Sequence, residues 1–109
     1  MERIAAEAFD GERLRRAGTW AVAFLADWCP FCRAFAPKFD TLAGGGNYQI
    51  ARGDVTDENS PLWDAFHLDV VPTVIVFHDG VASFRKNGQL GRGLSDADLA
   101  TIRSHLPGP

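Results

Sequence analysis

One short apolar run constrains the fold of this chain more than any other stretch. Seven consecutive apolar residues occupy positions 20–26, between Thr19 and Asp27. The run is well below the roughly 18 apolar residues that a membrane-spanning helix needs, and polar residues bound it on both sides. It therefore predicts a strand that is buried on both faces, as in the middle of a parallel sheet.

The two cysteines of the chain follow this strand almost directly. Cys29 and Cys32 are separated by the dipeptide Pro30-Phe31. From Cys32 onward, apolar residues recur at steps of three, four and three, which is one face of an α-helix. These residues are Cys32, Phe35, Phe39 and Leu42. Pro37 lies inside the run and predicts a kink. The cysteine pair is therefore expected at the junction between a buried strand and a helix.

The rest of the chain alternates predicted helices and strands. The expected elements are a short edge strand at Ile4, a short helix over 11–17, a strand over 48–55, a helix from Ser60-Pro61 to about His67, a hairpin over 74–86, and a last helix that begins with a capping box at 95–98 and is stopped by Pro107. This alternation predicts an α/β sandwich with a mixed sheet, and 109 residues fit a single domain spanning 1–109.

Composition and charge exclude several functional classes. With 46% hydrophobic and 23% charged residues, the chain is expected to be globular rather than disordered. The net charge is −3 and no basic face is evident, so nucleic acid is not an expected partner, and neither is a membrane. The first ten residues lack the basic and apolar regions of a signal peptide. Together with the single close-spaced cysteine pair, this predicts a cytoplasmic location.

A cysteine pair at the start of a helix has a specific chemical meaning. Cys29 would lie where the N–H groups of the first turn have no partners within the helix. Those donors and the helix dipole stabilise a thiolate. Cys32 lies one turn later on the apolar face, so it should be more buried and keep its proton longer. We therefore expect Cys29 to be the exposed nucleophile and Cys32 to resolve the mixed disulfide that forms with a substrate.

Two other uses of the cysteine pair are less well supported. Structural zinc takes four ligands, whereas the remaining candidates show no paired spacing. They are His67, His78 and His105. Two buried cysteines without chemistry are the second alternative. The position of the pair after a strand and at the opening of a helix favours redox chemistry. We therefore expect no metal and no cofactor other than a redox-active Cys29–Cys32 disulfide.

Residues around the pair and later in the chain resemble the thioredoxin family. The matching positions are Phe24, Ala26, Trp28, Cys29, Cys32, Pro37, Val71-Pro72-Thr73, Phe77 and Gly80. The resemblance extends from Phe9 to Leu106. It implies the thioredoxin fold, with helices on both faces of a central mixed sheet, in a monomeric protein. It also implies a thiol–disulfide oxidoreductase that acts on disulfide-containing proteins, with a thioredoxin reductase or glutathione as electron donor.

The resemblance assigns further roles around the cysteines. Trp28 matches a residue that packs beside the active site and shields it. Pro72 matches a proline with a cis peptide bond that lies against the cysteine pair. The backbone of the residue before that proline, here Val71, pairs with an extended substrate strand. Gly91 lies in a region similar to the family's glycine loop, which borders the same groove, and the extra Arg92-Gly93 leaves this alignment open.

One departure from the family pattern concerns proton transfer. The family usually has a buried aspartate in the strand before the active site, and Ala23 stands at that position. The lysine that often accompanies the aspartate is replaced by Arg52 or Gly53. We expect Asp27 to point to solvent. Proton transfer involving Cys32 must then use water or another group.

The second departure is the dipeptide Pro30-Phe31. Thioredoxins most often have glycine and proline there, whereas glutaredoxins resemble this chain in having a proline and an aromatic residue. Phe31 lies off the buried helix face and is expected to be exposed and to touch substrates. One alternative is therefore a glutaredoxin-like reductase that uses glutathione, although Trp28 and Pro37 are thioredoxin-like. A non-catalytic binding module with this fold is the other, and the intact cysteines argue against it.

Overall fold

A computed structural model describes residues 1–109 and contains a five-stranded sheet, a two-stranded hairpin and three α-helices. In chain order the elements are β1 (Glu2–Ile4), β2 (Phe9–Asp10), β3 (Arg13–Leu14), β4 (Thr19–Leu25), α1 (Pro30–Asp40), β5 (Gln49–Asp54), α2 (Leu62–Ala65), β6 (Thr73–His78), β7 (Val81–Asn87) and α3 (Asp96–Ser104), with one 3₁₀ turn at Ala6–Ala8. The α/β architecture predicted from the alternation of elements is confirmed.

The apolar run lies at the centre of the sheet. The strand order is β1-β5-β4-β6-β7, so β4 has a neighbour on each side. It is parallel to β5 and antiparallel to β6, which makes the sheet mixed. From Ala21 to Leu25 every residue is fully buried. The prediction of a strand buried on both faces is therefore confirmed.

The helix after the cysteines packs as its periodicity predicts. Helix α1 runs through Pro37 to Asp40 and contacts both β4 and α3. All four members of the predicted apolar stripe are buried. Burying one face of α1 against the central strand fixes the position of its N-terminus. The end of β4 and the start of α1 thus meet at one edge of the sheet, where Cys29 lies.

The helix predicted over residues 11–17 is wrong. The segment instead contains the second strand of a hairpin, in which β2 and β3 are joined by Gly11-Glu12. Gly11 has a φ of +58°, which favours glycine in a tight hairpin turn. Phe9 and Leu14 face each other across the hairpin and are both buried. A helix would have buried Leu14 alone, whereas the hairpin adds two apolar side chains to the core.

The remaining elements follow the prediction with shifted ends. Helix α2 is a single turn, and the chain leaves it at His67, whose φ is +49°. The capping box of α3 is confirmed, because Ser95 Oγ accepts from the Asp98 N–H at 3.1 Å and the Asp98 carboxylate accepts from the Ser95 N–H at 2.8 Å. Helix α3 ends at Ser104, three residues before Pro107. None of the helices has the length and hydrophobicity that a membrane crossing requires.

Candidate active site

Cys29 is the N-cap residue of α1. Its Sγ accepts a hydrogen bond from the backbone N–H of Cys32 at 3.2 Å. The same thiol lies 3.6 Å from the carbonyl oxygen of Val71, to which it can donate. Pro30 occupies the first helical position, where a proline costs no backbone hydrogen bond. Strand β4 and helix α1 therefore hold a sulfur atom against an otherwise unpartnered helical N–H group.

The structure corrects the expected exposure of the two cysteines. Cys29 was predicted to be exposed, but it is only 5% accessible, close to the 2% of Cys32. The reason is tertiary: the Val71 segment, 42 residues away in sequence, covers the Cys29 thiol. The sequence indicates the helix terminus but contains no local signal for the segment that packs on it.

The surroundings of the Cys32 thiol oppose its ionisation. Burial raises the pKa of the Cys32 thiol to about 12, and its hydrogen bond with Cys29 acts in the same direction. The backbone of Ala26 and the charge of Arg52 lower that pKa and only partly offset the burial. No acidic side chain is among the groups that act on Cys32. This fits the prediction that Cys32 keeps its proton.

The Val71–Pro72 segment borders the cysteine pair. Its peptide bond is cis. The carbonyl of Val71 faces Cys29, while its backbone N–H makes no hydrogen bond within the chain. Thr73 Oγ1 donates to the carbonyl of Val70 at 2.7 Å, and the carbonyl of Pro72 accepts from the Gly88 N–H at 2.9 Å. The segment is thus held on both sides and leaves one backbone donor free beside the thiol.

Exposed apolar side chains flank the cysteines. Trp28 is 49% accessible and Phe31 is 40% accessible, as expected for Phe31. The Trp28 indole is fixed on one side, because its Nε1 donates to the carbonyl of Thr56 at 2.9 Å and its ring stacks on Trp63 at a centroid distance of 6.3 Å. Sequence reasoning missed Thr56, since a backbone acceptor carries no residue-specific signal. It assigned Trp63 to packing, which agrees with the stacking contact.

The loop between β7 and α3 approaches the dipeptide Pro30-Phe31 through Gly93. A Cβ atom added to Gly91 would meet nothing within 4 Å, whereas one added to Gly93 would lie 2.9 Å from Phe31 Cβ. Gly93, rather than Gly91, therefore packs directly on the dipeptide between the cysteines. The hydrogen bonds between Gln89 and Gly93 close the intervening residues into a tight loop, whose tip presents the 90% accessible Leu90. The role of Gly91 beside the substrate groove stays a prediction.

A charged cluster lies on the other flank of α1 and consists of Arg3, Asp27, Arg52 and Asp54. In the register of β4 and β5, the Cα partner of Ala23 is Arg52, and Gly53 is the partner of Phe24. Arg52 Nη2 contacts Asp27 Oδ1 at 2.5 Å, and Arg3 Nη1 contacts Asp27 Oδ2 at 3.3 Å. The hydrogen bond from Arg3 lowers the pKa of Asp27, and the charge of Arg52 adds to this effect. The Asp27 side chain is 53% accessible, as expected.

Metal-ligand side chains do not converge in the structure, where no three residues of the His, Cys, Asp and Glu types come together.

Comparisons with known proteins agree with this geometry. The family model described as Thioredoxin matches residues 1–99. A thioredoxin of Rhodospirillum rubrum is 30% identical over 92 residues, covering 83% of this chain and 88% of that protein. Human sulfhydryl oxidase 1 is 32% identical over 110 residues, covering 94% of this chain but only 14% of that protein.

Other matches cover the chain to different extents. A thioredoxin domain-containing protein of Theileria parva is 42% identical over 65 residues, which are 58% of this chain and 29% of that protein. Among solved structures, a mutant thioredoxin from Halobacterium salinarum superposes with a TM-score of 0.68 at 27% identity, covering 94% of this chain and 86% of the other. The chain thus spans most of the length of some relatives and a small part of others.

Proposed function

This chain belongs to the thioredoxin family of thiol–disulfide oxidoreductases, and we propose that it exchanges electrons with the disulfides of other proteins through Cys29 and Cys32. The observation that carries this proposal is the placement of the Cys29 sulfur. It lies between the backbone N–H of Cys32 in the first turn of α1, which donates to it, and the carbonyl of Val71. A sulfur at a helix N-terminus is stabilised when it becomes negative.

In the first step, Cys29 acts as the nucleophile. Its thiolate attacks one sulfur of a substrate disulfide, the substrate S–S bond breaks, and a Cys29–substrate mixed disulfide forms. The other substrate sulfur leaves as a thiolate and takes a proton from water. The N–H of Cys32, 3.2 Å from the Cys29 sulfur, stabilises the charge on Cys29 before the attack.

In the second step, Cys32 resolves the mixed disulfide. Its sulfur, deprotonated, attacks the sulfur of Cys29, the bond to the substrate breaks, and the Cys29–Cys32 disulfide forms. Two electrons have then passed from the protein to the substrate, which leaves with both of its thiols. The raised pKa of Cys32 keeps this thiol protonated until the mixed disulfide has formed, which favours attack by Cys29 first.

The surroundings of Cys29 support an extended polypeptide as substrate. The backbone N–H of Val71 has no partner within the chain and can pair with a substrate carbonyl. Trp28 and Phe31 offer exposed apolar surface beside the thiol, and Gly93 leaves room for Phe31. We propose Pro30 and Pro72 as residues that shape this groove rather than contact the reacting sulfurs.

The electron donor and the compartment are part of the proposal. The reaction needs no cofactor beyond the cysteine pair, because the pair itself carries two electrons. A thioredoxin reductase or glutathione would return the pair to its reduced state. We place the protein in the cytoplasm, where such donors keep thiols reduced and where one close-spaced cysteine pair is typical of a redox motif.

The test is reduction of insulin, a protein with accessible disulfides, by wild type and by two single variants. We expect wild type to reduce insulin catalytically with a thioredoxin reductase and NADPH as donor. Cys29→Ser should abolish turnover. Cys32→Ser should also abolish turnover, but it should accumulate a covalent complex with insulin that a strong reductant releases.

Other outcomes would change the functional class. Turnover with glutathione but not with the reductase would favour the glutaredoxin-like alternative. An absence of turnover with every donor, together with no trapped complex for Cys32→Ser, would contradict the proposed chemistry and favour a binding module.

A further inference from the structure

Arg52 is an arginine that packs into the interior beside the active site. Its side chain is only 16% accessible. One end of the guanidinium contacts Asp27 at 2.5 Å, whereas Nε is buried and makes no hydrogen bond. A buried donor without a partner is costly and unusual in a folded protein. The ion pair with Asp27 therefore explains only part of why an arginine occupies this position.

The sheet register places Arg52 on the same face of the sheet as Ala23, the position where the family usually has an aspartate. Arg52 is the Cα partner of Ala23, and paired residues of neighbouring strands project to the same face of a sheet. Ala23 is fully buried and contributes only a methyl group. The side chain of Arg52 thus extends over the face where a larger residue at position 23 would lie.

Helix α1 lies on the other side of the Arg52 side chain. Arg52 lines an open groove of about 540 Å³ together with Ala36 and Pro37 of α1. Ala36 lies four residues after Cys32, so both are neighbours along the same helix surface. The Arg52 guanidinium is therefore next to the helix turns that carry Cys32, with solvent access along the groove.

The charges around Cys32 make Arg52 the relevant cation. Cys29, on the same helix terminus, raises the pKa of the Cys32 thiol, and Arg52 lowers it. Arg33 also belongs to α1, but its guanidinium donates to the carbonyl of Asp27 at 3.1 Å. Arg3, the Cα partner of Arg52, lines the same groove, but its guanidinium contacts Asp27 and Asp54 at 3.3 and 3.4 Å. Asp54 also lies 4.0 Å from Arg52 Nη2. The other charges along the groove are Asp40 and the N-terminal ammonium of Met1, which lie 3.6 Å apart.

We propose that Arg52 is a positioning residue that stabilises the Cys32 thiolate while it resolves the mixed disulfide, in a protein that has no acid at position 23. In this role Arg52 does not take the proton. The proton of Cys32 passes to water through the groove, and the guanidinium reduces the cost of the negative charge left on sulfur. Asp27 holds the guanidinium in place. The inference rests on the proposed function, because it requires Cys32 to attack the mixed disulfide.

The test separates the two steps with dithiodipyridine, a neutral aromatic disulfide that releases a coloured thione at each step. Attack by Cys29 releases the first thione, and resolution by Cys32 releases the second. A neutral reagent is chosen so that Arg52 does not attract it. We expect Arg52→Gln to slow the second phase by roughly tenfold at pH 8, shifting its pH midpoint upward, while the first phase changes less than about twofold.

Matched variants distinguish charge from packing. Arg52→Lys keeps the charge and should restore the second phase to within about threefold of wild type. Arg3→Gln also removes a positive charge that contacts the Asp27 carboxylate. Because the Arg3 side chain is 51% accessible, this variant should leave both phases unchanged. If Arg52→Gln folds poorly, Arg52→Met provides the same measurement with the apolar stem retained.

Three results would overturn the inference in different ways. A second phase in Arg52→Gln that matches that of Arg3→Gln would remove any role for Arg52. A lower melting temperature with both phases slowed equally and an unshifted pH midpoint would make Arg52 a structural residue. A wild-type protein that releases one thione only would contradict the proposed function itself, because Cys32 would then not resolve the mixed disulfide.

Discussion

Cys29 and Cys32 lie one helical turn apart, yet the fold gives them different surroundings. The Cys29 sulfur accepts the hydrogen bond that the helix terminus provides, whereas Cys32 is surrounded by the core and has no cation or donor strong enough to offset its burial. A thiol that is costly to ionise in the folded state links protonation to stability. This link gives a measurement that does not depend on any substrate.

The free energy of unfolding of the reduced protein should fall with rising pH because of Cys32. Its pKa is raised from 9.0 to about 12, so the unfolded state loses this proton first as the pH increases. The stabilising contribution of Cys32 to the free energy of unfolding is complete below pH 9 and is lost as the pH rises towards 12. At pH 11 the loss should be about 2–3 kcal/mol relative to pH 8.

Urea unfolding of reduced wild type and reduced Cys32→Ala from pH 8 to 11 measures this effect. All other ionisable groups are present in both proteins, so the difference between the two pH curves reports on Cys32 and its interaction with Cys29. Parallel curves would contradict the assignment of a buried, protonated Cys32.

At the scale of the elements, the loop between β7 and α3 is fitted to the start of α1. Gly91 and Gly93 both have positive φ, at +77° and +74°. Only Gly93 also packs on the helix, because a side chain there would meet Phe31 Cβ, which cannot rotate away. The loop and the dipeptide between the cysteines therefore share one contact that depends on the absence of a Cβ atom.

Alanine at each glycine separates strain from contact. Both Gly91→Ala and Gly93→Ala should cost about 1–2 kcal/mol of stability, because both force a side chain into the left-handed region. Only Gly93→Ala should also displace Phe31 and reduce kcat/KM for insulin, by about tenfold. The measurement is insulin turnover and thermal unfolding of the two variants side by side. Equal losses of activity would show that the contact with Phe31 is unimportant.

At the scale of the whole molecule, an aromatic cluster connects the hairpin to the sheet. Phe9 from β2 packs on Phe24, Phe66 and Phe77 at centroid distances of 5.2–6.0 Å. These residues come from four separate parts of the chain, so the cluster joins the N-terminal hairpin to β4, β6 and the residue after α2. We propose that residues 1–109 consequently unfold as one cooperative unit.

Two phenylalanines allow stability and function to be tested separately. Phe9→Ala empties a fully packed site and should lower the free energy of unfolding by about 3–5 kcal/mol, with a single transition retained. Phe31→Ala changes an exposed residue and should cost less than about 1 kcal/mol, while it lowers kcat/KM for insulin but not the reaction with dithiodipyridine. The measurements are denaturant unfolding and the two activity assays. A loss of stability in Phe31→Ala comparable to that in Phe9→Ala would assign Phe31 to the core.

Local patterns in the sequence predict the parts of this protein that depend on neighbouring residues. The apolar run, the helical stripe after Cys32, the capping box at Ser95 and the hairpin turn at Asp79-Gly80 are local patterns, and each forms the structure that its periodicity or turn chemistry predicts. The position of the cysteine pair at a helix terminus follows from the same patterns.

Other features form only where distant segments of the chain meet, and the sequence contains no local pattern for them. Residues 11–17 form a strand rather than a helix because Phe9 and Leu14 find an aromatic core made elsewhere in the chain. Cys29 is covered by the Val71 segment, and Gly93 packs on Phe31. The pairing of Ala23 with Arg52 depends on strand register. Register determines which side chains share a face of the sheet, and no local sequence pattern specifies it here.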